Sequence, residues 1–311
     1  MNINSKIFVT GHNGLVGSAV VRELIKQGYT NILKVDRIHC DLSVEMEVLN
    51  YFSIMRPEYV INCAGKVGGI NANNTQGADF ITKNIAMQTN IITASHAFKV
   101  NKLMFLGSSC VYPKLCPQPI KEEYLLSGPL DETNIGYSIA KIAGLTMCRM
   151  YRKQYGSNFI SAMPANLYGP NDNFNLESGH VLASLLRKFH EAKINNLPEV
   201  ELWGTGFPKR EFLYVDDIAD ALIFLMNNYN GEQHINVGIG SDVTIKELAR
   251  IIKYIVGYEG LIKWNPAYPD GTPRKLLDVT KINMLGWIAK TPLYEGLEKT
   301  YKWFIENYKY E

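Results

Sequence analysis

The chain has 311 residues, 46% hydrophobic and 20% charged, with a formal net charge of +2, enough apolar material for a sizeable core and too balanced in charge for a disordered chain. It has neither a charge run of the kind that marks a nucleic-acid or membrane-surface partner nor an apolar stretch near the ~18 residues of a membrane span. Five scattered cysteines, Cys40, Cys63, Cys110, Cys116 and Cys148, without a CxxC pair, argue for free thiols in a reducing cytoplasm and against a disulfide framework or a metal site.

Short β-branched runs alternate with longer amphipathic segments through the first half. Ile7-Phe8-Val9 precedes a segment with Val16, Val20 and Leu24 on one helical face. Ile32 to Val35, a helical stretch through Tyr51, Tyr59-Val60-Ile61, a helix through His96 and Leu103 to Leu106 follow in turn. Apolar strands alternating with helices predict a parallel sheet covered on both faces, a Rossmann-type doubly wound α/β fold. After Tyr168 the rhythm loosens, Phe212 to Val237 reads as sheet-domain material again, and the chain from Thr244 onward reads as helices with short strands. The expected division is a nucleotide-binding domain over 1–168 to which 212–240 returns, and a smaller, discontinuous α/β substrate domain from 169–211 and 241–311.

The first strand runs into Gly11-His12-Asn13-Gly14-Leu15-Val16-Gly17. Gly11 permits the turn, Gly14 lets backbone approach a pyrophosphate, and Gly17 lets helix pack on strand; the helix N-terminus then faces the anion. At the end of the second strand Asp36 suits a ribose 2′-OH, as in NAD(H), whereas Arg37 suits the 2′-phosphate of NADP(H). Asp41-Leu42 offers a carboxylate to an adenine amino group, and Ala64 and Gly107 supply small residues where backbone must pass close to a cofactor. Tyr137 and Lys141, four apart, share a helical face, and the ammonium is expected to lower the phenol's pKa. Ser108, just past a strand, can bond the same reacting oxygen. Pro164, Asn166 and Leu167 follow another strand and can hold a nicotinamide carboxamide. Together these residues fit hydride transfer at an alcohol or ketone.

Long segments carry a resemblance. Lys66-Val67-Gly68-Gly69-Ile70, Asn73-Asn74-Thr75, Phe105 to Lys114, Asn166 to Pro170, Arg210 to Asp217 and Asp270 to Thr280 are similar to segments of the GDP-L-fucose synthase family of extended short-chain dehydrogenase/reductases. The resemblance implies NADP(H), with NAD(H) as the alternative, and reduction of a GDP-4-keto-sugar at C4, with or without 3,5-epimerisation. It implies Tyr137 as proton donor, Lys141 and Ser108 as its partners, Cys110 as epimerisation base and His180 as acid, with His180 also beside the cofactor. Ser108 and Asn166 would also face the sugar, and Lys188, Trp203, Arg210 and Asp270 would hold the GDP-sugar. Lys188 stands where the family has Arg, Asn13 where it has a loop Arg, and Asp36 where it has an uncharged residue. By the same resemblance a homodimer is expected through the helix near 136–155; the charge balance and cysteine pattern predict no nucleic-acid or membrane partner and no metal.

Overall fold

A computed structural model describes residues 1–268 and 270–308. Through the first half, β1 (Ile7–Thr10), α1 (Leu15–Lys26), β2 (Ile32–Leu33), α2 (Glu45–Met55), β3 (Tyr59–Asn62), α3 (Ile70–Thr75), α4 (Gly77–Ala97), β4 (Lys102–Leu106), α5 (Ile135–Tyr155) and β5 (Phe159–Pro164) follow one another. The second half continues with β6 (Asn166–Tyr168), α6 (Val181–Ile194), β7 (Glu199–Trp203), β8 (Lys209–Arg210), β9 (Phe212–Tyr214), α7 (Val215–Asn228) and β10 (Ile235–Val237). It closes with β11 (Val243–Thr244), α8 (Ile245–Val256), β12 (Leu261–Asn265), β13 (Arg274–Lys275), α9 (Thr280–Met284) and α10 (Leu293–Asn307).

Six strands form one sheet in the order β2-β1-β3-β4-β5-β10, and every pairing in it is parallel. β1, β4 and β5 are buried along their whole length, which is why they read as unbroken apolar runs rather than alternating ones. The chain winds from β1 outward to β2, then crosses back to β3 on the other side of β1. The strand order therefore reverses between β1 and β3, and a crevice opens there at the carboxyl ends of the strands. The second strand is shorter than the expected Ile32–Val35. At this edge, among the described residues, it has only β1 as neighbour, through the pairs Ile7–Ile32 and Phe8–Leu33.

α1 lies against α7, and α4 lies between α2 and α5. This first core includes Phe8, Phe52, Ile91, Phe105, Leu145 and Leu222. A second core, with Tyr168, Phe174, Phe189, Leu248, Ile252 and Phe304, gathers α6, α8 and α10. α8 begins on a reciprocal cap, Thr244 with Glu247, and ends at Gly257 in the left-handed region (φ 70°). Within the expected 241–311 stretch, Leu277, Ile282 and Trp287 pack into the first core. Leu277 is fixed there by its N–H, which donates to the buried Glu211 carboxylate (2.9 Å).

Candidate active site

The crevice at the strand ends is a cavity of about 520 Å³. One wall is the first loop. Gly11 adopts φ +65°, and a Cβ there would stand 2.9 Å from Ala64 Cα; a Cβ on Gly17 would stand 2.1 Å from the Gly11 carbonyl oxygen. Thr10 Oγ1 holds the two strand ends level, donating to Asn62 Oδ1 (2.7 Å) and accepting from Ala64 N (3.1 Å). Gly14 caps α1 without any side-chain bond to the first-turn N–H groups, so those donors face the crevice with the positive end of the helix dipole. A glycine-walled cradle at a helix N-terminus fits the pyrophosphate of a dinucleotide.

Gly11, Gly14, Leu15, Val16, Gly17, Ala64, Gly107, Pro164, Asn166, Leu167 and His180 all line this cavity, as do Ser108, Cys110, Tyr137, Lys141 and Arg210. Asn13, Asp36, Arg37, Asp41 and Leu42 lie outside its lining, in a hydrogen-bonded rim beside the loop. Asn13 Nδ2 donates to Asp36 Oδ1 (2.7 Å), with His12 Nε2 3.5 Å from the same oxygen. Arg37 Nε pairs with Asp41 Oδ2 (2.8 Å), while Asp41 Oδ1 accepts from the N–H and hydroxyl of Ser43 (2.9 and 2.6 Å). The Asp41 carboxylate is thus fully engaged, and its pKa is held low chiefly by Ser43. The Leu42 carbonyl accepts from Asn90 Nδ2 (3.0 Å).

At the centre, Ser108 ends the turn after β4, while Tyr137 and Lys141 stand on the first turns of α5. Lys141 is buried. Its ammonium donates to the Leu106 carbonyl (2.8 Å) and stands 5.8 Å from the Tyr137 ring centroid and 5.1 Å from that of Phe105. The phenol does not have the lowered pKa expected from the i, i+4 pair. Burial raises it above the ordinary tyrosine value, with Cys110 adding to the rise and a hydrogen bond with Ser108 opposing it. The ammonium itself is pushed down to about 8 by burial, with Cys63 opposing. Desolvation outweighs the attraction between the two groups, leaving a phenol equipped to give a proton rather than a standing phenolate.

Cys110 and His180 both line this cavity. Cys110 sits in a short turn anchored from both sides: its N–H donates to Ser108 Oγ (3.2 Å) and its carbonyl accepts from Ser138 Oγ (2.9 Å). His180 is the residue before α6, reachable from the cleft, and burial lowers its pKa. Lys275 is not among the site residues that the sequence pattern predicts. Its ammonium lies 3.7 Å from Cys110 Sγ, across 165 residues of chain, and no local pattern encodes that contact. Asp131, Thr133 and Thr272 also enter the lining, joined through the Asp131 carboxylate, which accepts from Thr133 (3.1 and 3.0 Å) and Thr272 (3.1 Å).

A second cavity of about 250 Å³ adjoins the first and shares Gly69, Ile70, Val181, Arg210 and Gly271 with it. Lys188, Trp203 and Asp270 line it. Trp203 is exposed, not core; it stacks on Tyr268 with centroids 4.5 Å apart, and the Lys188 ammonium stands 4.9 Å from its ring. Asp270 spends both carboxylate oxygens on Thr205, accepting from its N–H (2.9 Å) and its hydroxyl (2.5 Å), and so holds the turn that follows Trp203.

The sequence pattern of the NAD dependent epimerase/dehydratase family matches residues 7–238. The chain is 54% identical to GDP-L-fucose synthase 1 of Arabidopsis thaliana, covering 98% of this chain and 94% of that protein. It belongs to the GDP-L-fucose synthase family. Among solved structures, a GDP-6-OMe-4-keto-L-xylo-heptose reductase from C. jejuni is 38% identical with a TM-score of 0.94, over 99% of both chains. A GDP-L-fucose synthetase from Naegleria fowleri bound to NADP is 31% identical with a TM-score of 0.91, over 99% of this chain and 96% of that one.

Proposed function

We propose that this chain is an NADPH-dependent reductase of a GDP-4-keto-sugar in nucleotide-sugar biosynthesis, and that it inverts ring carbons beside the ketone before reduction. The observation that carries the reading is the meeting of Tyr137, Ser108 and Lys141 over a glycine-walled dinucleotide cradle, with a second, cation- and indole-lined cavity adjoining. NADPH, when bound, supplies the hydride that C4 accepts. Ser108 bonds the ketone oxygen, Tyr137 passes its proton to that oxygen as charge develops there, and the Lys141 ammonium offsets the negative charge left on the phenol. Gly11, Gly14 and Gly17 take the pyrophosphate. Pro164, Asn166 and Leu167 present backbone to the nicotinamide.

A ketone at C4 acidifies the protons on its neighbours. Cys110, as a thiolate, removes such a proton, and His180, in the same cavity, returns one to the opposite face. Arg210 stands where the two cavities meet and supplies a guanidinium for the diphosphate, while Lys188 and Trp203 receive the nucleotide. Lys188 adds charge without the bidentate fork of an arginine. The presence of both Cys110 and His180 in one cavity favours retained epimerisation over a reductase that acts at C4 alone. We also place the enzyme in the cytoplasm as a homodimer joined through α4 and α5, whose exposed faces carry Ile85, Ile139 and Met150. Among the described residues no helix is long and apolar enough to cross a membrane.

Purified protein incubated with GDP-4-keto-6-deoxymannose and NADPH in deuterated water tests the reading. The expected result is loss of nicotinamide absorbance together with deuterium at C3 and C5 of the product. Reduction without deuterium restricts the enzyme to C4; no oxidation of NADPH with any GDP-4-keto-hexose or heptose overturns the assignment.

A further inference from the structure

The ammonium of Lys275 stands 3.7 Å from Cys110 Sγ, and that thiol is the side-chain partner the structure records for it. Neither group reaches the other by chance of a flexible surface. Lys275 lies on β13, paired in parallel register with Arg210 of β8, and the strand is held on every side. Its carbonyl accepts from Glu211 N (3.3 Å), the next two N–H groups donate to Gln118 Oε1 (2.9 Å) and Glu211 Oε2 (2.9 Å), and the Leu276 carbonyl accepts from Ile120 N (2.7 Å). Glu211 is itself buried and also accepts from Ile239 and Gly240 N–H groups, both at 2.7 Å. Cys110 is fixed by Ser108 and Ser138. Two pinned backbones thus aim a cation at a thiol inside the cavity.

We infer that Lys275 is a positioning residue that holds Cys110 as the thiolate required for proton removal from the sugar ring. The inference rests on the epimerising reading of the site. The reaction asks Sγ to take a proton from carbon while the C–H pair moves into the enolate of the C4 ketone. Only the ionised sulfur can accept it, and a fixed ammonium at this distance favours the ionised form. The other charged or titratable groups facing the sulfur are Arg210, itself near Asp131 and Asp270, and Tyr137. Arg210 also acts on the Cys110 sulfur and Lys275 also on Cys116, but the Lys275 ammonium is the cation in hydrogen-bond contact with Cys110 Sγ. A second reading, Lys275 as one more phosphate ligand beside Arg210, makes different demands on experiment.

The test follows alkylation of Cys110 by iodoacetamide against pH in the ligand-free enzyme, resolved from the other four cysteines by peptide mass spectrometry, in wild type, Lys275→Met and Lys275→Arg. The midpoint of the Cys110 profile should rise by about one unit in Lys275→Met. It should return most of the way in Lys275→Arg, which keeps charge in a fold that has lost nothing else. Deuterium entry at C3 and C5 should slow about tenfold in Lys275→Met, with the affinity for GDP within about twofold of wild type. An unmoved Cys110 midpoint overturns the inference, as does a large loss of GDP affinity with that midpoint unmoved, which marks a phosphate ligand instead. A shifted midpoint in an enzyme whose wild type never exchanges deuterium retains the ion pair and removes the base role assigned to Cys110, so the two failures are told apart.

Discussion

Burial decides the protonation states at the centre of the cleft. With its pKa above the ordinary value, Tyr137 remains a phenol through the neutral range and has a proton to give. Tyr137→Phe is therefore expected to lower the reduction rate by about 10²–10⁴-fold while leaving the NADPH dissociation constant within about threefold, as read by absorbance decay and by fluorescence titration. Lys141 is protonated below its folded pKa of about 8 and neutral above it. Reduction should accordingly be level from about pH 6 to 7 and decline through pH 8, about 2.5 units earlier than an ordinary lysine would impose, and Lys141→Met should abolish that limb along with most activity. The same shift bears on stability. The folded state sheds this proton before the unfolded chain does, so the burden of the buried charge is full below about pH 8 and is relieved as pH rises from there toward the ordinary lysine value. Tyr137, Lys141 and Ser108 were recognisable as residue types in a chain-order pattern. The sign of the Tyr137 shift was not, because helical spacing reports the ammonium and says nothing of how deeply the ring is desolvated. The Lys275 contact lay equally out of reach, since it is made by the register of a two-residue strand.

Elements place these residues through close backbone approach. A Cβ at Gly17 would lie 2.1 Å from the Gly11 carbonyl oxygen and 2.9 Å from His12 Cα, contacts with backbone that no rotamer relieves. Gly17→Ala should displace the start of α1, lower the thermal midpoint and weaken NADPH binding at least 100-fold, measured by calorimetry and by titration. Far from the site, Lys102 is buried at the start of β4, and its ammonium donates to the Leu225 and Met226 carbonyls in the last turn of α7 (3.1 and 2.8 Å). The Leu225 carbonyl also accepts from Tyr229 N (3.0 Å) at the C-cap, so a lysine from the neighbouring strand reinforces the helix end. Lys102→Met should cost about 1–3 kcal/mol and move the urea midpoint down with an unchanged slope. The buried strands and the glycine loop were legible because apolar run length and glycine spacing are local signals. The early end of β2 was not, because an edge strand extends only as far as its single neighbour pairs with it.

At the scale of the molecule, two cores and two adjoining cavities divide the labour. The first core carries the glycine-walled cradle with Ser108, Tyr137 and Lys141; the second carries the wall of Lys188, Trp203 and the turn that Asp270 holds. The chain does not keep to one side, since Leu277, Ile282 and Trp287 return to the first core after the excursion through β12, and Lys275 is delivered to Cys110 on that return. Sequence could show that both halves existed. It could not show this recrossing, because apolar residues in a short helix announce burial without naming the core they enter. The proposed homodimer uses the exposed faces of α4 and α5. Light scattering after size exclusion should give twice the 35.1 kDa chain mass, and Ile139→Glu combined with Met150→Glu should reduce it to one.

The ends of the large sheet have a consequence for how the protein behaves when concentrated or warmed. Its two outer strands are the shortest in it, Ile32–Leu33 and Ile235–Val237, so another chain docking edge to edge would find only a few free amide and carbonyl groups to template on. Self-association through the edges of this sheet is thereby disfavoured on the folded molecule. Turbidity on heating should track the loss of the fold, and storage life is governed by the unfolded fraction rather than by protein concentration alone.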